Sequence, residues 1–348
     1  MIKYGDNTFD SGYMTSLMMM LYQEFSQNPL PDKLYRIPHG LEDYLNMLYT
    51  KNGQEMPEIQ YVDDMPEVKE LEENNKVLLA FSGGKDSIAS ALKLKEDGYE
   101  VILYHISGIN KSYPNELENA KRFAEKHGFE IIIDYMRFSG KTEYFENPVK
   151  NHLILAQMLD KGMKMGVSKY SVGSFLDDVV AELNIMYMLS DGYDFFRVLE
   201  KFIQEHILKN YQLMIWWKNE GESITYLCMK HPQVIQEALS CMMPLRYRYK
   251  LKKQNEEKFG MQLLDERCGS CVKCCMEYLI MLYYKLVPLN KKFVQHCIEV
   301  FRRKIEEEHP ELLEVKPEKE YTDAEILEEF VHISELEKFR KQYTEGLE

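Results

Sequence analysis

Positive charge is in short supply in this sequence. Its 348 residues carry 43 Lys and Arg against 57 Asp and Glu, for a formal net charge of −14. Binding nucleic acid through a broad surface needs clustered basic residues, so that class of protein is not expected. One local basic strip, "RYRYKLKK" from Arg246 to Lys253, reads as a solvated helix face. Long apolar runs are missing as well. "LMMMLY" near the start is too short to cross a bilayer, and no basic segment marks a secretory signal. The expectation is a cytoplasmic protein without a membrane span. Cysteine is scarce, with seven in the chain. They crowd toward one end and no export signal accompanies them, which points to a reducing compartment. There, close cysteine pairs serve as metal ligands or catalysts more often than as disulfides.

Four of the seven fall between Cys268 and Cys275, in "RCGSCVKCC". Cys268, Cys271 and Cys274 form C-x-x-C-x-x-C, a spacing that wraps thiolates around one ion from a turn and an incoming helix. A structural zinc takes four such ligands. Cys275 adjoins Cys274 and reads as a core thiol on the apolar helix "MEYLIMLYYKL". The fourth ligand then comes from elsewhere, with Cys241 the first candidate and Cys228 the second. Cys297, in a helical tail, reads as inert.

The middle of the chain is regular. "KVLLAF", "EVILYHI", "EIIIDYM" and "SKYSVGS" have strand length and composition, and helical patterns alternate with them: "IASALKLKEDG", "ELENAKRFAEKHG" and "NHLILAQMLDKGMKMG". Strands alternating with helices of this length predict an α/β fold, a doubly wound parallel sheet with right-handed crossovers. After Ser190 the pattern turns helical, in "DFFRVLEKFIQEHILKNYQ" and "HPQVIQEALS". The sequence divides into an N-terminal extension (1–74), an α/β domain (75–235), a helical cysteine-bearing lobe (236–290) and a charged helical tail (291–348). In the extension, "SLMMMLYQEF" reads as a short helix and "PLPDKLYRIPHG" as an irregular connector, since its prolines break periodicity. In the tail, Thr322 to Glu325 fits a capping box.

Ligands of an open α/β sheet bind where strands end and helices begin. "SGGKDS", Ser82 to Ser87, occupies such a junction. Gly83 and Gly84 permit tight backbone turns. The amides that follow open a helix, where N–H groups and the positive end of the dipole favour phosphate. Ser82 and Ser87 offer hydroxyls, Lys85 a mobile cation, and Asp86 a carboxylate to orient the loop or help hold Mg²⁺. The loop lacks both G-x-x-x-x-G-K-[ST] and G-x-G-x-x-G, which sets it apart from the two commonest glycine-rich phosphate loops.

The hexamer resembles the pyrophosphatase loop of the N-type ATP pyrophosphatases, the PP-loop superfamily, whose fold is adenine nucleotide alpha hydrolase-like. That resemblance implies a loop gripping the β- and γ-phosphates of ATP while a substrate oxygen attacks the α-phosphorus, giving an adenylate and pyrophosphate. Lys85 and Asp86 are then the catalytic candidates. A Ser-Cys followed by an insertion and C-G-x-C-x-x-C is similar to the 7-cyano-7-deazaguanine synthases of queuosine biosynthesis. That similarity implies Zn²⁺ on Cys241, Cys268, Cys271 and Cys274 in a helical C-terminal lobe. It also implies a pocket containing Asn151, Gly173, Asp178 and Asp191. The implied reaction is ATP-dependent activation of a carboxylate or amide on a deazapurine-like small molecule for attack by ammonia or an amine. Alternatives implied by the superfamily are a sulfur-transfer or reductase enzyme, or a synthase-like component of a phage or anti-phage system that modifies a macromolecule. A homodimer or a protein partner would dock through the N- and C-terminal segments. Several features depart from the synthase pattern: Lys85 replaces an apolar residue, "YHISGIN" replaces an acidic, Gln-containing strand end, the segment from Cys241 to Cys268 is longer, Glu277 stands where the family has a basic residue, and the first 70 or so residues have no counterpart.

Overall fold

The computed structural model describes residues 2–4, 7–9, 12–24, 35–51, 55–56, 58–63, 65–107, 116–135, 149–173, 193–217, 220–239, 241, 245–264 and 267–308. By internal contacts they form two compact units. One is drawn from residues 1–82, 90–173 and 193–216, the other from 83–89 and 217–308.

The first unit is built on a five-stranded sheet. Its strands are β5 (Lys76–Ala80), β6 (Glu100–Ser107), β7 (Glu130–Tyr135), β8 (Lys169–Ser171) and β9 (Gln212–Met214), in the order β7-β6-β5-β8-β9. Every pairing is parallel. The first strand in sequence, β5, lies in the middle. Val77, Leu78 and Leu79 are fully buried on it, the unbroken apolar run that a central parallel strand requires. Strand order runs outward from β5 in both directions, so the sheet is doubly wound, as its sequence pattern predicts. Helices α3 (Lys85–Glu96), α4 (Glu116–His127) and α5 (Lys150–Lys164) follow β5, β6 and β7, and α6 (Tyr193–His206) precedes β9. In α4, Ala120, Phe123 and Ala124 are buried at helical spacing while the intervening Lys, Arg and Glu stay out.

The segment ahead of the sheet shares its core. β1 (Ile2–Tyr4) pairs antiparallel with β2 (Asn7–Phe9). α1 (Tyr13–Glu24) buries Met14, Leu17, Met18, Met19, Leu21 and Tyr22 in one cluster with Leu78 of β5 and Leu155 of α5. The opening turn of α1 is tied down by Asp160 of α5, which accepts from Thr15 N at 2.8 Å and Thr15 Oγ1 at 2.6 Å. β3 (Tyr35–Pro38) and β4 (Ile59–Val62) pair in parallel around α2 (Glu42–Lys51). This overturns the connector expected over "PLPDKLYRIPHG" for its second half, 35–40; residues 29–34 lie outside the described residues. Pro38 ends the strand instead of interrupting it, a position where its missing N–H costs no ladder bond.

The second unit contains α7 (Glu220–Lys230), a 3₁₀ turn (Pro232–Glu237), α8 (Leu245–Phe259), α9 (Val272–Tyr283) and α10 (Lys291–Glu308). Cys275, Tyr278, Leu279, Phe293, Val294 and Cys297 form the apolar cluster between α9 and α10. The α-helix expected from "HPQVIQEALS" is this tighter 3₁₀ turn, with Pro232 in its first turn. "NYQ" does not continue a helix: α6 stops at His206, and Gln212 opens β9. Three residues are too few to display an alternating pattern, so the strand was invisible to periodicity. The basic strip lies on α8 with Tyr247 and Tyr249 exposed, as a solvated face requires, but Arg248 turns inward and is buried. Among the described residues no helix is long and apolar enough to cross a membrane. The capping box at Thr322 lies outside the described residues.

Candidate phosphate loop and metal centre

The loop begins where β5 ends. β5 neighbours both β6 and β8, so it is the strand at which the winding reverses, the place where sheets of this kind hold ligands. The Phe81 carbonyl is fixed as the chain leaves the strand: His105 Nδ1 donates to it at 2.9 Å, and Phe81 N donates to Tyr104 O at 2.8 Å. Burial holds His105 below the ordinary imidazole range, with the charge of Lys121 adding and the bond to Phe81 opposing. A neutral imidazole with its proton on Nδ1 suits that role. His105 escaped the sequence reading because a strand histidine gives no signal of what it touches.

Gly83 adopts φ +76°, the left-handed region. A Cβ there would meet nothing nearer than Leu239 Cδ1 at 4.0 Å, so conformation, not space, selects glycine. α3 then opens at Lys85. Ser87 Oγ donates to Gly84 O at 3.0 Å, and Ile88 N bonds the same carbonyl at 3.0 Å, closing the first turn. Lys85 is 1 % exposed, and its ammonium donates to both Asp86 oxygens, at 2.9 and 3.0 Å. The Ser223 hydroxyl, from α7, also donates to Asp86 Oδ1. A buried cation in the first turn of a helix opposes the dipole, and Asp86 offsets it. The pair is neutral as a whole and holds the Lys85 ammonium in the first turn of the helix. Ser223 was not singled out by sequence, because a lone serine on a helix carries no motif.

The other pocket candidates divide. Gly173 lies just past the carboxyl end of β8, the strand next to β5, and Ser82 just past that of β5. Asn151 sits in the first turn of α5, which returns to β8. Asp178 and Asp191 lie outside the described residues.

The cysteines converge. The sulfurs of Cys241, Cys268, Cys271 and Cys274 all lie within 4.8 Å of one another. Cys268 Sγ and Cys274 Sγ are 3.9 Å apart. Tetrahedral zinc with bonds near 2.3 Å separates its sulfurs by about 3.8 Å. Four thiols with this spacing therefore fit such an ion. Hydrogen bonds with Cys241, Cys268 and Cys271, together with burial, push the Cys274 thiol well above its ordinary range, whereas a bound divalent cation would favour the thiolate. Local structure forms the cradle. Gly269 takes φ +69°, where a Cβ would also come within 2.7 Å of Leu263 Cδ1. Ser270 N donates to Cys268 Sγ at 3.3 Å. Asn255 Nδ2 donates to Cys268 O at 2.8 Å and Ser270 Oγ at 2.7 Å. His296 Nε2 lies 2.9 Å from Gly269 O. Cys275 is apart from the four, in the apolar cluster with Cys297. Cys228 is also apart, and burial pushes its thiol up to about 12, helped by the charge of Glu277 and opposed by that of Arg267.

Glu277, read from sequence as an anomaly, is fully buried and accepts from Arg267 Nε at 2.8 Å. Its partner Arg267 directly precedes the first of the three clustered cysteines.

No protein-family model matches the chain. The tRNA-specific 2-thiouridylase MnmA of Treponema denticola is 31% identical over 121 residues, 29% of this chain and 33% of that one. The 7-cyano-7-deazaguanine synthase of Sulfurimonas denitrificans is 22% identical over 215 residues, 57% of this chain and 90% of that one. The chain spans between 33% and 45% of the length of the thiouridylases it matches. Among solved structures, the NH3-dependent NAD synthetase of Campylobacter jejuni matches 72% of this chain and 96% of its own at 13% identity, with a TM-score of 0.30. The NMN synthetase of Francisella tularensis matches 70% and 90% at 10% identity, with a TM-score of 0.32. Sheet order and loop position define an α/β protein with a phosphate loop at its switch point. Within that class, the curated proteins it resembles belong to the PP-loop ATP pyrophosphatase family, and the low identities fit a divergent relative of them.

Proposed function

We propose that the chain is an ATP-dependent adenylating enzyme of the 7-cyano-7-deazaguanine synthase type. It would convert ATP to AMP and pyrophosphate while activating a carboxylate or amide of a deazapurine-like substrate for attack by ammonia or an amine. The observation that carries this reading is the combination of SGGKDS at the switch point with four converging cysteines in one chain. The similarity to the deazaguanine synthase, which runs over 90% of that protein, supports it.

The chemistry follows from what each group can do. A carboxylate or amide oxygen is a poor leaving group, and adenylation lets it depart as AMP. Ser82, Ser87 and the amides of the loop bind the β- and γ-phosphates, which carry the growing charge. Lys85 exchanges its Asp86 partner for a phosphate oxygen, and Ser223 keeps Asp86 in place as it does so. Asp86 would hold Mg²⁺, which shields the pyrophosphate charge. Asn151, Gly173, Asp178 and Asp191 would line the acceptor side. Cys241, Cys268, Cys271 and Cys274 would hold Zn²⁺ structurally, taking no part in bond-making.

A sulfur-transfer reading is favoured by the higher identity to the thiouridylases. It needs a reactive thiol or an iron–sulfur cluster. Cys228 and Cys275 are both buried with thiols held above their ordinary range, burial being the main cause for Cys228 and contact with Cys297 for Cys275, so neither is a ready nucleophile. Metal analysis separates the two: one zinc per chain supports the synthase reading, and iron with acid-labile sulfide supports the other. Incubation with ATP, ammonium and 7-carboxy-7-deazaguanine should release AMP and pyrophosphate. Silence with that acid but turnover with another would leave the chemistry standing and remove the substrate.

A further inference from the structure

We propose that Arg267 and Glu277 are positioning residues that brace the phosphate loop from the metal centre. The inference rests on the reading of Ser82 to Ser87 as the nucleotide loop.

Arg267 is 2 % exposed and directly precedes Cys268. Its guanidinium is fully directed inward. Nε donates to Glu277 Oε2 at 2.8 Å, Nη1 to Ala238 O at 2.8 Å, and Nη2 to Ile235 O at 3.2 Å. Those two carbonyls belong to the end of the 3₁₀ turn and the residue after it. The next residue, Leu239, donates its N–H to Gly83 O at 2.9 Å. Two residues further on is Cys241, in the cysteine cluster. The stretch from Ile235 to Cys241 is therefore held at three points: by a cluster thiol at one end, by Arg267 along its length, and by the loop through Leu239.

Gly83 is the left-handed residue on which the loop turns, so the position of its carbonyl sets where the following amides point. One hydrogen bond from Leu239 is a weak constraint if Leu239 itself is free to move. Two guanidinium bonds to the preceding carbonyls remove that freedom, and Glu277, fully buried on α9, fixes the guanidinium. Arginine suits the post because its rigid planar fork holds its donors in fixed directions toward three separated acceptors, where a lysine offers donors from a single rotatable nitrogen. A buried ion pair is weak evidence of stability, since apolar side chains of like volume usually serve as well. Its use here is directional: it orients carbonyls that an apolar pair would leave alone.

The test uses the intact, zinc-loaded protein with Arg267→Lys and the double substitution Arg267→Met with Glu277→Leu, which leaves no unpaired buried charge. Three quantities are read: zinc per chain, amide exchange at Leu239, and the affinity for ATP. Both variants should keep one zinc. Leu239 should lose its exchange protection, and ATP affinity should fall about tenfold with kcat within about twofold, the pattern of a lost binding geometry. Wild-type protection at Leu239 and wild-type ATP affinity in the double variant would overturn the brace and leave the loop assignment standing. Failure of the wild type to bind ATP, with Leu239 protection still dependent on Arg267, would remove the loop assignment and keep the mechanical coupling.

Discussion

Single residues carry the chemistry through their pairings. Lys85 is the only cation that the loop motif contains, and its ammonium sits on Asp86 with almost no exposure. Lys85→Met should lower kcat/KM by about a hundredfold, as the loss of a preorganised charge contact does, while Lys85→Arg should recover part of it. Steady-state kinetics in saturating Mg²⁺ would read both. A second residue sets a pH limit. His152 is completely buried, shares a 2.7 Å hydrogen bond with the Tyr44 hydroxyl, and is pushed down to about 3 by burial. Unfolded, it would take up a proton near 6.5, so between those values the unfolded chain binds a proton that the folded chain refuses. Stability should therefore fall with falling pH across that window, by about 1.4 kcal/mol per unit from this group. Denaturant midpoints measured from pH 7 to 4 should show a shallower decline in His152→Gln.

At the scale of elements, legibility in the sequence tracked periodicity. β5 to β7 and α3 to α5 were plain because each is long enough to repeat its pattern. β9 has three residues and β3 ends in a proline, so both were set by the neighbours they pair with and not by their own composition. The phosphate loop was legible because its constraints are local, namely glycines, a strand end and a helix start. The C-x-x-C-x-x-C half of the cluster was legible for the same reason. Cys241 could be ranked ahead of Cys228 in the sequence, but Arg267, Ser223 and His105 were not legible at all, since their partners lie 29, 137 and 24 residues away. The joint between α1 and α5 makes an element-scale test. Asp160→Ala would strand the N–H and hydroxyl of the buried Thr15, at a cost of about 2 kcal/mol. Chemical denaturation should show that loss with an unchanged m-value.

On the scale of the molecule, the four clustered cysteines and Gly83 to Ser87 belong to one compact unit, 83–89 with 217–308. Chelation should therefore release one zinc and destabilise that unit, with loss of ATP binding following the metal and returning with it. Cys241→Ser should behave like chelation, and Cys275→Ser should retain its zinc. The most direct measurement of the central claim is the identity of the phosphorus products when ATP turns over with an acceptor acid, read by phosphorus NMR. Cleavage between the α- and β-phosphates, giving AMP and pyrophosphate in equal amounts, is the expected result. ADP with orthophosphate would contradict it, because a loop that grips the β- and γ-phosphates together cannot part them.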